Sequence, residues 1–198
     1  KETGKKATVA LSATKDVQDA ILNDTQRAKL VDIIYIRYWH YKVDGLYAPE
    51  GGKNLAPRQH ARKMKVGKVT FDEAYRAVSE YRKKFPEKAV TYYAQNYPDM
   101  AWAVFMASGS CSVVPVADES FLTDAAAMDM EDTGTNKYQK LVKSGIGSII
   151  YSHSATDIPV HLSPGKYILK SVDPKTGAIT VIAKRLDRKS TRLNSSHM

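Results

Sequence analysis

The side chains best able to do chemistry gather at the ends of two apolar runs. The first run, Val31-Asp32-Ile33-Ile34-Tyr35-Ile36, leads into Arg37-Tyr38-Trp39-His40-Tyr41, and the second, starting at Ala89, leads into Gln95-Asn96. Guanidinium, imidazole and amide groups exchange hydrogen bonds, and indole and phenol rings add flat apolar faces. Such a set suits the binding of a polar ligand. Between the runs, the segment from Asp44 to Val69 holds Gly45, Pro49, Gly51, Gly52, Pro57 and Gly67, and a loop this long in a compact domain usually serves function or motion. Its Tyr47, Arg58, Gln59 and His60 are expected to roof the strand ends, with Arg58 able to grip a carboxylate. Other chemistries lack their patterns. His40, His60, His153 and His161 show no metal-ligand spacing, so neither metal nor cofactor is expected. Cys111 follows Gly109-Ser110 without a thiol-enzyme signature, and Ser108-Gly109-Ser110 is not a nucleophile elbow. No residue is assigned a catalytic role.

These side chains need elements to hold them. Thr8 to Ala13 reads as a short strand and Val17 to Leu22 as a brief helix. Val31 to Tyr41 reads as a strand buried on both faces of a parallel sheet, with its polar residues crowded toward its C-terminal end. Thr70-Phe71-Asp72-Glu73 is a capping box, and Phe71, Ala74, Tyr75, Val78, Tyr81 and Phe85 recur at helical spacing until Pro86. Ala89 to Ala94 is the next strand, and Pro98 opens a helix to about Ala107. Ser112 to Val116 is a further strand and Glu119 to Met128 a further helix. After Glu131 to Asn136 the pattern becomes short strands at Gly147 to His153, Ile158 to Leu162, Tyr167 to Val172 and Ala178 to Ala183. Turns at Ser163-Pro164-Gly165 and Asp173-Pro174-Lys175-Thr176-Gly177 punctuate them. Four strand-helix units followed by an antiparallel β module is the resulting order. A doubly wound sheet is the structural alternative, but Ser12-Ala13-Thr14-Lys15-Asp16 lacks the Gly-rich phosphate turn.

Composition narrows the classes further. The chain has 198 residues, is 43% hydrophobic and 26% charged, and carries a formal net charge of +9. That is enough apolar material for one core, with or without a small satellite domain. No apolar run approaches the ~20 residues of a bilayer-spanning helix. The single Cys111 excludes an internal disulfide. Lys and Arg are scattered between helices and termini with no nucleic-acid-binding signature, so nucleic acid is not expected as a partner. Part of the basic balance belongs to the tail, DRKSTRLNSSH from Asp187 to His197, which resembles a translated sequencing adapter and is set aside from fold reasoning. The chain opens at Lys1 almost directly on its first strand, and is expected to continue upstream.

Five stretches resemble an uncharacterised family of bacterial glycoside-hydrolase-like proteins, a domain of unknown function. They are LSATKDVQDAIL, VDIIYIRYWHY, GLYAPEGGKNLAPRQHARKM, VTFDEAYRAVSEYR and YPDMAWAVFMASGSCSVVPV. More distantly, the element order is similar to strands five to eight of a clan A glycoside hydrolase barrel with its trailing β domain, and Asp173-Pro174 with Thr176-Gly177 is similar to that domain's turn. The resemblance implies an α/β fold: half of a (β/α)₈ TIM-type barrel over residues 1–130, a small antiparallel β domain over 137–186, and an artefactual tail over 187–198.

Under that resemblance Trp39-His40-Tyr41 ends the sixth barrel strand, on the face where such barrels build their sites. Carbohydrate is the implied partner, because pyranose C–H faces stack on Trp and Tyr while Arg, His, Gln and Asn bond hydroxyls. The substrate-binding set is Arg37, Trp39, His40, Tyr41, Tyr47, Arg58, Gln59, His60, Gln95 and Asn96. One departure is marked. Where retaining clan A enzymes carry a nucleophilic Glu, this chain has Tyr92-Tyr93-Ala94-Gln95-Asn96, and an amide can neither form a glycosyl-enzyme nor act as general acid. The expected function is therefore that of a glycoside-hydrolase fragment inactive by itself, with a non-catalytic carbohydrate-binding barrel or an interaction module as the alternatives. A secreted or periplasmic location follows from the same resemblance.

Overall fold

The computed structural model describes residues 7–47, 68–152, 157–160, 165–186 and 191–193. The chain divides into two units, Lys1–Val113 and Val114–Met198.

In the first unit, β-branched residues build a three-stranded parallel sheet in the order β1 (Ala10–Leu11), β2 (Ile33–Ile36), β5 (Ala89–Tyr92). Ile33 pairs with Ala10 on one side and Ala89 on the other, and Ile34 with Leu11 and Val90. The ladder extends at the exits of β2 and β5, where the Tyr93 N–H donates to the Ile36 carbonyl at 2.9 Å. Helices α1 (Lys15–Asn23) and α2 (Thr25–Ala28) connect β1 to β2, while α3 (Phe71–Lys84) precedes β5 and α4 (Tyr97–Met106) follows it. Asp19 and Asn23 of α1 accept hydrogen bonds from Tyr81 and Lys84 of α3, both at 2.8 Å. Neighbouring strands are thus joined in sequence order, with their crossover helices side by side on one face. Ile34, Ile36, Val90 and Tyr92 are buried on the face the helices cover, and Ile33, Tyr35 and Thr91 are half-buried on the other.

Local chemistry fixes the helix ends. The Thr70 hydroxyl accepts from the Glu73 N–H at 3.4 Å, and the Glu73 carboxylate accepts from the Thr70 N–H at 2.8 Å, completing the expected capping box. Asp72 and Glu73 in the first turn, and Arg82, Lys83 and Lys84 in the last, complement the helix dipole. Thr70→Ala should lower unfolding free energy by about 1 kcal/mol, the usual worth of such a cap. Chemical denaturation of the two proteins checks this, and a change below about 0.3 kcal/mol would contradict it. In α4 every residue from Met100 to Met106 is buried, as a helix apolar all round must be.

Two sequence expectations need correction. The strand expected over Val31 to Tyr41 ends at Ile36. The chain bends at Arg37 to Trp39, and His40 opens a separate hairpin of β3 (His40–Lys42) and β4 (Gly45–Tyr47), paired antiparallel. Gly45, with φ +148°, takes a conformation side chains rarely adopt and lets the hairpin turn close. The second concerns Ser112 to Val116, which forms no strand. The Ser110 N–H reaches the Val90 carbonyl at 2.7 Å, a first rung beside β5. Cys111 then adopts φ +59°, which turns the chain out of the extended line, and Pro115 lacks the N–H a ladder needs. The parallel sheet described therefore has three strands where four were expected.

The second unit begins with α5 (Glu119–Ala126), capped by Asp118, whose carboxylate accepts from the Phe121 N–H at 2.8 Å. An antiparallel sheet follows in the order β6 (Asp129–Glu131), β7 (Tyr138–Lys143), β8 (Gly147–Ser152), with Leu141 buried at its centre. The sequence reading did not anticipate β6 and β7. Two further pairs are β9 (Ile158–Val160) with β12 (Thr191–Leu193), and β10 (Tyr167–Val172) with β11 (Ile179–Leu186). Between β10 and β11 the Asp173 carboxylate accepts from the N–H groups of Lys175 and Thr176, holding its own pKa below the ordinary carboxylate value. Gly177 has φ +72°, and a Cβ there would lie 2.0 Å from the Pro115 carbonyl oxygen, so the turn requires glycine twice over.

Candidate functional site

Parallel pairing sends the C-terminal ends of β2 and β5 to one end of the sheet, where the side chains that follow them meet. Alternation places Tyr35 and Arg37 of one strand, and Thr91 and Tyr93 of the other, on the face away from the helices. Arg37 is exposed, its guanidinium 5.5 Å from the Tyr38 ring centre and 5.7 Å from that of Tyr93. Tyr93, 45% exposed, stacks on Tyr97 at 6.5 Å with ring planes 13° apart. The Tyr97 hydroxyl donates to the Cys111 carbonyl at 3.2 Å, which fixes the second ring from behind, and burial raises its pKa. Gln95 is exposed beside them. The result is an aromatic shelf carrying one cation and one amide. Among the described residues Arg37 has no carboxylate within ion-pair distance.

The remaining expected residues fall elsewhere. Asn96 closes the α4 entry, donating through Nδ2 to the Val69 carbonyl at 2.9 Å and accepting at Oδ1 from the Val69 N–H at 3.1 Å. Both ends of its amide are thereby engaged with backbone. Trp39 is fully buried: its Nε1 donates to Gln18 Oε1 at 2.6 Å, and its ring meets Tyr41 and Tyr81 edge-on at 5.5 and 5.9 Å. Gln18 in turn donates to the carbonyls of Leu11 and Tyr35, tying the exits of β1 and β2 together. The bend after Ile36 carries Trp39 to the helix side although it shares the odd-numbered phase of Arg37. A one-residue change of phase moves a side chain to the opposite face.

His40 and Tyr41 are also buried. Burial lowers the His40 pKa below its ordinary value, against the charge of Glu73, which raises it. The Tyr41 hydroxyl donates to Glu80, and the Arg76 guanidinium sits 3.9 Å from its ring centre. Burial first, then that hydrogen bond, push the Tyr41 phenol up to about 12. Tyr47 lies in β4, paired with His40. Arg58, Gln59 and His60 lie outside the described residues, as does most of the expected lid.

Behind Trp39 stands a charged cluster that the sequence reading missed. The Lys15 ammonium bonds Asp19 and Glu80, both at 2.8 Å, and lies 5.3 Å from the Trp39 ring centre and 5.1 Å from that of Tyr81. Burial by itself would lower the Lys15 pKa, but the two carboxylates more than offset it and hold the pKa above its ordinary value. These groups lie where α1 meets α3 and serve to join the helices. Lys15, Asp19, Tyr81 and Glu80 are ordinary helix residues in sequence, and only the α1–α3 packing brings them together.

Among the described residues no carboxylate pairs with Arg37; the nearest in sequence to Tyr97 is Asp99, in the first turn of α4 and exposed. Among the described residues no three His, Cys, Asp or Glu side chains gather as a metal site, and no helix is long and apolar enough to cross a membrane. What stands here is a mixed α/β protein with small sheets and, among the described residues, five helices. Residues 1–128 match the family described as a domain of unknown function (DUF6298), and the chain belongs to that family. The match ends before β6. No curated protein and no solved structure matches the chain.

Proposed function

We propose that the aromatic shelf is a carbohydrate-contact surface, carried on an arc of a glycoside-hydrolase-like (β/α)₈ barrel, and that it binds without cleaving. The observation that carries the reading is the exposed Tyr93, stacked on the half-buried Tyr97 and set beside Arg37 at the C-terminal end of parallel strands. The exposed part of the Tyr93 ring offers an apolar surface to sugar C–H groups, and Arg37 and Gln95 supply donors for hydroxyls. Sequence-ordered strands with helices on one face support the barrel arc, since a doubly wound sheet would put helices on both. Gln95, where a nucleophilic carboxylate would stand, supports binding over hydrolysis by this chain. A secreted or periplasmic location belongs to the same proposal.

The test is affinity electrophoresis and calorimetry of the chain and its Tyr93→Ala variant against a panel of soluble polysaccharides. At least one glycan should bind, and the variant should bind it about tenfold more weakly, a loss near 1.4 kcal/mol. Far-UV circular dichroism verifies that the variant is folded, as expected for a side chain 45% exposed. Absence of binding across the panel, or equal affinity of a folded variant, would overturn the reading.

A further inference from the structure

We infer that this shelf selects acidic glycans, with Arg37 pairing the carboxylate of a uronate residue whose ring lies over Tyr93. The inference rests on the carbohydrate reading above and adds the charge class of the ligand. Neutral sugars need only rings and hydrogen-bonding groups, which Tyr93, Tyr97 and Gln95 already provide. Arg37 adds a full positive charge at the platform's edge. Its position is set by the rings of Tyr38 and Tyr93, at 5.5 and 5.7 Å. Ring contact does not neutralise that charge, and among the described residues no carboxylate lies within ion-pair distance of it.

A guanidinium is weakly hydrated, and its fork of N–H donors matches a carboxylate in two-point geometry. Aromatic neighbours that fix the side chain also reduce the entropy lost when the pair forms. A guanidinium 5.7 Å from the Tyr93 ring centre is within reach of a carboxylate attached directly to a sugar ring lying there. A uronate carries its carboxylate at C5 of the pyranose, so a ring lying on Tyr93 brings that group to the platform's edge. Single-stranded nucleic acid would also offer stacking faces and negative charge. It draws its affinity from several phosphate contacts, however, and among the described residues Arg37 is the one cation set against these rings.

The experiment is calorimetry on the 198-residue chain with oligomers of galacturonate, of mannuronate and guluronate, and of glucuronate-bearing glycan, each paired with its methyl ester. Single-stranded DNA and RNA serve as competitors. At least one acid should bind ten times or more tightly than its ester, with the preference shrinking as salt rises. Arg37→Gln should bring that acid's affinity down to the ester's, and Arg37→Lys should restore part of the difference. If acids and esters bind alike and both depend on Tyr93, the charge inference falls while the carbohydrate reading stands. If no oligomer or neutral glycan binds, the carbohydrate reading fails first. Tighter binding of the nucleic acids, through Arg37 and Tyr93, would overturn the acidic-glycan assignment in favour of that class.

Discussion

Trp39→Ala should remove about 3–5 kcal/mol of unfolding free energy from the first unit, the range for deleting a fully buried aromatic side chain. The loss has two parts. The cavity sits at the centre of a cluster made by Tyr41, Tyr81 and Lys15, all of which touch the indole ring. The Gln18 side-chain oxygen also loses its donor while remaining fully buried, and an abandoned buried acceptor costs about 1–3 kcal/mol. Fluorescence of Trp102, in the same unit, reports urea unfolding in both proteins. A loss under 1 kcal/mol would mean that Trp39 is not an interior residue. A variant at this position thus reports on folding, so the shelf must be tested through Tyr93 and Arg37.

Lys15→Met should cost about 3 kcal/mol, at the lower end for breaking a buried ion pair because Asp19 and Glu80 keep some contact with water. Removing the ammonium leaves two carboxylates beside the rings of Tyr41 and Tyr81 with their main counter-charge gone. Combining Lys15→Met with Glu80→Gln should recover part of the loss, since the second change removes a charge the first has orphaned. A coupling energy of at least 1 kcal/mol in the double-mutant cycle is expected. Additive losses would show that the pair does not act as a unit.

Where a pattern repeats locally, the sequence was a reliable guide. Thr70 and Glu73, followed by apolar residues at helical spacing, specify α3 from its cap to Lys84, and the apolar runs at Ile33 and Ala89 specify two strands that pair in parallel. It misled where direction changes. Nothing in Arg37-Tyr38-Trp39-His40 announces a bend, because aromatic and β-branched residues suit a strand and a core equally well. Alternation therefore put Trp39 with Arg37, and tertiary packing separated them. Tyr38, Tyr93 and Tyr97 each read as core filler in the sequence, which hides their place on the shelf. The available signal was the pairing of phases: Arg37 and Tyr93 follow β2 and β5 at equivalent positions, and Tyr97 sits four residues on. Cys111 left a similar gap, since a positive φ at a non-glycine residue has no sequence mark, and Ser112 to Val116 kept the appearance of a strand.

The order in which these elements can assemble follows from how far apart their partners lie along the chain. In the second unit Lys143 meets Gly147 across one tight turn, so β7 and β8 can zip from that turn at little entropic cost. In the first unit Ile33 must find Ala89 with β3, β4 and α3 strung between them, and the chain entropy is spent before any β2–β5 rung forms. The slow step in forming the sheet is that search. On a ribosome the sequence of events works against it: β2 emerges long before β5, and its apolar Ile34 and Ile36 stay only partly covered until α3 and β5 have been made. A delay in translation between Lys42 and Ala89 would lengthen that exposure.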